Sequence, residues 1–304
     1  MNGLVLPGLA PSHYQEVESF IKNSPFAIQR FKEASEVLGY SLVDAFKEAE
    51  VDEAPEVYEV CFLANSIALL DHYYNHYNCQ PDFAIGVSFG GMSAAVQTNT
   101  LAYDEAVWLT HEAAKQAKAF FKQMDGEYQT HFIYNMSLNE AKTIIKEFQL
   151  KGMYLELVGF LEKVVCLCGE AKTIKLLKEK INTKPKCVSL HTMKQPIHSI
   201  LLKDLHQQLK KGLYNQVNFK PMETAIISDV DGDVIKDTEL FKQSLLDGYD
   251  NPVRWDLVTD TMRKQKIEQV YVVGPRNLFA QLLKNEFNTV RIGPELFESK
   301  AVLR

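Results

Sequence analysis

The stretch from Phe83 to Val96, FAIGVSFGGMSAAV, constrains the fold of this chain more than any other. Three apolar residues run into Gly-x-Ser-x-Gly, and small residues follow. That order reads as a buried strand, a cramped turn and the start of a helix. On such a turn the backbone is crowded, so its neighbours must be small, and the serine Oγ stands free above the sheet edge. Gly86, Gly90 and Gly91 supply the smallness. The N–H that follows the serine falls at a helix N-terminus, where it can stabilise an oxyanion. Gly and Ser are common, so the pattern alone also fits a plain tight turn. The strand before it and the helix after it favour Ser88 as a nucleophile.

A serine hydroxyl is a weak nucleophile and needs a base. Eight histidines are available. His72 and His76 stand four apart in DHYYNHYNC, a spacing that could hold a metal, but no further ligand set accompanies them. Two exposed helical histidines is the plainer reading, and no metal is expected. His13, His111 and His131 have no supporting context, and His191 sits at a strand end. His206 lies in a Lys-rich amphipathic helix and is expected to be solvated. His198, in MKQPIHSILL, follows Pro196 by two residues and opens a helix, where a turn can hold an imidazole over a neighbouring strand end. Position alone leaves it one candidate among several.

The 304 residues, 46% hydrophobic and 24% charged, allow a sizeable core in one large domain or two smaller ones. The net charge of −6 and the scattering of Lys and Arg argue against a nucleic-acid partner. No apolar run approaches the roughly 18 residues that would cross a bilayer. The opening MNGLVLPGLAPSHYQ lacks the cationic start of a signal peptide. Five scattered cysteines (Cys61, Cys79, Cys166, Cys168 and Cys187) suit a reducing, cytoplasmic setting. Cys166 and Cys168 should share one face of a strand without bridging.

Along the chain, GLVLPG reads as a short buried strand, and VYEVCFLANSIALLDHYYNHY and AYDEAVWLTHEAAKQAKAFFKQM read as long helices. Between about 128 and 192 the rhythm becomes THFIYNMS (strand), LNEAKTIIKEFQ (helix), GMYLELVGF (strand), KVVCLCG (strand), EAKTIKLLKEKI (helix) and KCVSLHT (strand). That β-α-β-β-α-β order is the ferredoxin-like motif. Beyond it, strands alternate with helices again, as in a largely parallel sheet covered on both faces. NPVRWDLVTDTMRKQ reads as a helix with a proline near its start. The expected architecture is an α/β-hydrolase-like parallel-sheet domain, residues 1–127 and 194–304, with an inserted ferredoxin-like subdomain, residues 128–193.

With these elements placed, the chain resembles the malonyl-CoA:acyl-carrier-protein transacylase family, including the free-standing acyltransferases of polyketide assembly. LVLPGLAP resembles the family's Phe-Pro-Gly-Gln-Gly loop, GVSFGGMSA its Gly-His-Ser-x-Gly elbow, and QPIHS the motif carrying its catalytic histidine. NPVRW and VGPRNLF are similar to two further family blocks. The resemblance implies a Ser88–His198 dyad, with the oxyanion held by the N–H groups of Phe89 and Leu9. It also implies a backbone carbonyl near Gly248 that orients the histidine. The substrate handle would be the phosphopantetheine thioester of CoA or of an acyl carrier protein, which would also be the partner, with no bound cofactor.

The departures from the family pattern bear on the acyl group. Where the family's helix after the elbow carries Arg-Gly-x-Leu-Met, whose arginine grips the malonyl carboxylate, Ala113 and Ala114 stand here. An alanine cannot replace a planar, two-pronged guanidinium. Val87 replaces the elbow histidine, and the apolar LVGF region replaces a polar Asn-x-Asn. A pocket bordered by Ala113 and Val87 implies a neutral acyl group such as acetyl or something larger. Relatives that lack the arginine act as acyl hydrolases in polyketide pathways, so hydrolysis is the alternative fate.

Other classes fit less well. ETAIISDVDGDVI resembles the Asp-x-Asp-Gly motif of haloacid-dehalogenase phosphatases, but Asp233 stands where that family needs Thr. Patatin-type lipases take their base from an Asp-Gly pair, yet their glycine-rich oxyanion loop is missing. An Asp-Gly turn after a strand is the plain reading. Ordinary α/β-hydrolases place their histidine late, and no histidine follows His206 here. A non-catalytic docking module is the remaining class.

Overall fold

The computed structural model describes residues 1–9, 13–50, 53–77, 79–275 and 278–297. Its strands begin with β1 (Asn2–Leu6), β2 (Phe83–Gly86), β3 (Tyr128–Tyr134), β4 (Leu155–Leu161) and β5 (Val164–Glu170). There follow β6 (Val188–Met193), β7 (Ala225–Ile227), β8 (Val234–Ile235), β9 (Val253–Arg254), β10 (Gln269–Val273) and β11 (Asn288–Ile292). The helices are α1 (Tyr14–Asn23), α2 (Pro25–Leu38), α3 (Leu42–Glu48), α4 (Pro55–His76), α5 (Gly90–Gln97) and α6 (Tyr103–Gln123). After them come α7 (Leu138–Leu150), α8 (Ala171–Asn182), α9 (Lys203–Leu209), α10 (Thr238–Asp250), α11 (Trp255–Lys264) and α12 (Leu278–Leu283).

One sheet has the order β11-β10-β1-β2-β7-β8 and is parallel except at its β8 edge. Alternate residues of β1 feed opposite sides, as the two-residue strand period requires. Leu4 and Leu6 join the cluster that contains much of α2, α4 and α6, whereas Val5 packs with Ile85, Val272 and Trp255 on the other face. A parallel sheet buried on both faces needs apolar residues in both phases, and FAI and VYVV provide them. Helix α4 is apolar almost all round, as a helix enclosed by its neighbours must be.

The second sheet runs β6-β3-β5-β4-β9. Its first four strands are antiparallel and have the ferredoxin-like order, with α7 and α8 over Ile133, Leu155, Val165 and Leu167. Helix α7 starts at a capping box, Ser137 Oγ accepting from Glu140 N while the Glu140 carboxylate takes the Ser137 N–H. The mixed α/β architecture expected from the sequence is therefore present. One element differs. NPVRW does not enter its helix directly, because Val253 and Arg254 first pair in parallel with Gly159 and Phe160 of β4. Proline fixes its own φ and favours extended backbone before it, which lets the chain run as a short strand at this point. The small sheet thereby reaches into the large domain.

All five cysteines are free thiols, with Cys166 and Cys168 buried together on one face of β5. Among the described residues no helix is long and apolar enough to cross a membrane. Leu63 on α4 is fully buried in the main cluster. Leu63→Ala should lower unfolding stability by about 2–5 kcal/mol, read as a lower urea midpoint at unchanged slope.

Candidate active site

Ser88 lies two residues past the end of β2 with φ 53°, in the left-handed region that β-carbon-bearing residues avoid. Holding such a residue there costs on the order of 1–3 kcal/mol, so its surroundings must enforce it. They do so through the glycines. A Cβ at Gly86 would fall 2.6 Å from Gly91 Cα, and one at Gly90 would collide with the Leu6 carbonyl. Strand β2 and the first turn of α5 are packed backbone to backbone. The turn is pinned by hydrogen bonds from Gly90 N to Val87 O (2.8 Å) and from Gly91 N to Ser88 O (2.9 Å). Gly8 presses on the same turn, since a Cβ there would stand 3.2 Å from Ser88 Cβ. Leu9 follows it, exposed, while Ala10 and Pro11 of the resembling loop lie outside the described residues.

The imidazole of His198 reaches Ser88 across 110 residues of sequence, Nε2 lying 2.7 Å from Oγ. Its Nδ1 is 2.5 Å from the carbonyl oxygen of Gly248. A carbonyl can only accept, so Nδ1 carries the proton and donates it there. Nε2 is left with a lone pair to accept the Ser88 O–H. Gly248 is in the last turn of α10, where carbonyls have no partner within the helix. The desolvated setting holds the His198 pKa below the ordinary histidine value, against the opposing pull of the Gly248 carbonyl. The imidazole is therefore neutral at physiological pH.

His198 also has positive φ, 52°. The ferredoxin-like sheet holds it there. Thr130 Oγ1 on β3 donates to Gln195 O (3.0 Å) and accepts from Ile197 N (3.3 Å). Buried Ser199 donates to the Glu156 carboxylate on β4 and accepts from Leu201 N (3.2 Å). On the far side, His206 Nδ1 pairs with Asp250 Oδ1 at 3.0 Å and ties α9 to the turn that carries Gly248. His206 is buried, not solvated as its Lys-rich helix suggested, because the apolar face of α9 turns it against α10.

Phe89 N–H, at the N-terminus of α5, has no acceptor among the described residues and opens beside Ser88. Ala113 is buried in the main cluster and Val87 in the cluster beneath the opposite face of the sheet, so the two do not share a wall. The remaining histidines are accounted for by local contacts. His72 and His76 rings lie 3.8 Å apart, His13 caps α1, and His111 pairs with Glu112. His131 is buried between Ser189 and Thr192, and desolvation together with the nearby Lys178 charge holds its pKa down to about 4. His191 is exposed on β6.

Sequence reasoning missed Asp229. The side chain of this residue, read only as part of an Asp-Gly turn, accepts a hydrogen bond from Ser88 N at 2.6 Å. It is 7% exposed, too enclosed to act as a phosphatase nucleophile, and burial pushes its pKa up to about 6. The visible signal was a carboxylate two residues after the strand residues AII, because strands β2 and β7 are parallel neighbours whose C-terminal ends lie together. Ser88 Oγ itself pairs with His198, not with Asp229, unlike a serine–aspartate dyad.

Structurally the chain is an α/β-hydrolase-like protein with a ferredoxin-like subdomain. No protein-family model matches it. It is 24% identical over 282 residues to a malonyl CoA-acyl carrier protein transacylase of Bacillus subtilis, covering 91% of this chain and 85% of that protein. A Staphylococcus aureus protein of the same name is 19% identical over 294 residues, 95% of this chain and 93% of its own. Among solved structures, a malonyl-transacylase in complex with its type II polyketide-synthase acyl-carrier protein superposes with TM-score 0.85 at 21% identity over 96% of both chains. An acyl-carrier-protein S-malonyltransferase of Burkholderia pseudomallei also gives 0.85, at 20% identity over 97% of both. The resemblance to the malonyl-CoA:acyl-carrier-protein transacylase family is thus supported over nearly the whole chain.

Asp229 titrates near 3.8 when unfolded and near 6 when folded, so its favourable contribution is complete below pH 3.8 and is lost as pH rises through 6. Asp229→Asn should therefore be more stable than wild type at pH 7.5, by up to about 3 kcal/mol. Its melting temperature should also lose the fall between pH 4 and 7. Gly248→Ala should leave fluorophosphonate labelling of Ser88 unchanged, because only the backbone carbonyl is used and a Cβ there meets nothing within 4 Å. Gly90→Ala should abolish that labelling.

Proposed function

We propose that the protein is an acyltransferase that carries its acyl group on Ser88 and passes it between phosphopantetheine thiols of CoA and an acyl carrier protein. The hydrogen bond from Ser88 to His198, with the imidazole oriented by Gly248, carries this reading. Ser88 Oγ attacks the thioester carbonyl carbon as its proton passes to His198 Nε2. The resulting oxyanion is received by Phe89 N–H and, in the family's manner, Leu9 N–H. When the C–S bond breaks, His198 returns the proton to the departing thiolate. The incoming thiol then gives its proton to His198 and attacks the acyl ester, and Ser88 recovers its own. No bound cofactor takes part.

The acyl group is not malonyl. Ala113 occupies the place of the carboxylate-binding arginine, and each described arginine is already engaged. Arg30 binds Asp71 and Glu33, Arg254 binds Asp256, Arg263 binds Asp260 and Glu286, and Arg291 binds Glu295. Arg276, in the VGPRNLF block, and Arg304 lie outside the described residues. A carboxylate buried without its partner costs about 3–5 kcal/mol, or about two to four decades of preference. The same missing arginine favours a second reading, hydrolysis of acyl groups from carrier proteins in a polyketide pathway, with water in place of the acceptor thiol.

Intact mass spectrometry after exposure to acyl thioesters should show a single adduct with acetyl or longer neutral chains and little with malonyl. Ser88→Ala should abolish the adduct and His198→Ala should slow its formation by at least about 100-fold. Equal malonylation would overturn the specificity. Comparing carrier loading with free-acid release separates transfer from hydrolysis. Acylation requires neutral imidazole, so its rate should rise with pH and level off at a pKa below 6.5, where His198 is already deprotonated.

A further inference from the structure

Glu59 is a carboxylic acid that the dyad chemistry leaves without a task. It lies on α4 one turn before Phe62, whose ring meets that of Phe89 edge-on at 5.6 Å, next to the nucleophile. Residues three apart on a helix share a face, so Glu59 and Phe62 look towards the same space. Its charge is felt by the phenols of Tyr214 and Tyr249. Tyr249 is the neighbour of Gly248, which holds His198, and Tyr214 belongs to the helical turn Lys210–Tyr214 that packs on α6. Glu59 thus shares a face of α4 with the ring that meets Phe89, and Tyr214 and Tyr249 are near enough to feel its charge.

Glu59 is half-buried, with access to solvent. Among the described residues it has no hydrogen bond and no ion pair. Lys118 faces Glu56 instead, at 3.8 Å. Glu56, Tyr214 and Tyr249 are the titratable groups that act on or feel it, and none supplies positive charge. Desolvation, with repulsion from Glu56, pushes its pKa up to about 8. An acid of this kind, largely neutral near pH 7 and with no cation paired to it, gains most from a ligand N–H or O–H and offers a second carboxylate no positive charge.

We propose that Glu59 is the specificity-determining residue of the acyl pocket, and that it selects acyl chains bearing an amine or hydroxyl a few carbons from the thioester. This rests on the acyl-serine reading above, since it takes the pocket beside Ser88 to be the acyl site. A chain ending in an ammonium group would draw Glu59 into its ionised form and release one proton per molecule bound near pH 7. A hydroxyl chain would bind the neutral acid without proton release.

The test is calorimetric binding of 3-aminopropionyl-, 3-hydroxypropionyl-, propionyl- and malonyl-CoA to Ser88→Ala protein, which needs no reactive nucleophile. At least one donor-bearing chain should bind tenfold or more tighter than propionyl, with malonyl weakest. Adding Glu59→Leu should erase that preference. Glu59→Gln, nearly the same shape and so safe for the fold, should keep hydroxyl binding while losing any proton release. Proton release read in buffers of different ionisation enthalpy identifies the amine; its absence with tight hydroxypropionyl binding identifies the hydroxyl. A ranking unchanged by both Glu59 substitutions, or equal affinity for all four chains, overturns the proposal. Loss of wild-type acylation with a Glu59-dependent ranking intact would instead overturn the dyad reading alone.

Discussion

The whole site depends on one strained residue. Ser88 is held with φ 53° because Gly86 and Gly91 let a strand and a helix touch backbone to backbone, and because Gly8 closes on the bend from a third side. Strain of this kind persists only when several contacts enforce it. The Asp229 carboxylate adds another, taking the Ser88 N–H that the turn leaves without a backbone partner. The serine hydroxyl is therefore presented by geometry fixed before any substrate arrives.

The second requirement is delivery of the imidazole, and that is the work of the small subdomain. The segment around His198 has almost no regular structure of its own. Thr130 and Glu156, on β3 and β4, hold the residues on either side of it, and the last turn of α10 receives the ring. Strand β9 binds the small sheet to the large domain a few residues beyond Gly248, so carbonyl, imidazole and insert form one connected support. Desolvation keeps the ring neutral and fit to accept a proton. A backbone carbonyl, unlike a carboxylate, orients it without adding charge.

The charges on the proposed acyl side are sparse. The described arginines are spent on their own carboxylates. Glu59, on the face of α4 that carries Phe62, has its proton held by burial. On the proposed reading a carboxylated substrate would meet no cation there, whereas a neutral acid can still donate to a hydroxyl or ionise to meet an amine.

The strand–serine–helix unit and the ferredoxin-like insert were legible because their patterns are local: small residues at a crowded bend, and apolar periods of two and 3.6. His198 was one histidine among eight until the family motif singled it out, since nothing near it in sequence shows which strand end it will face. The burial of His206 was not legible, and Asp229 left only the trace of a carboxylate just past a strand. A Lys-rich helix looks solvated until its partner helix is known, and Asp-Gly after a strand looks like a turn until a parallel neighbour brings Ser88 beside it. By itself the sequence determined the elements and the crowded bend that carries Ser88, because these follow from short-range sterics and residue chemistry. Tertiary structure alone decided which carboxylates lie out of water and what each faces, because desolvation and contact are properties of the packed chain.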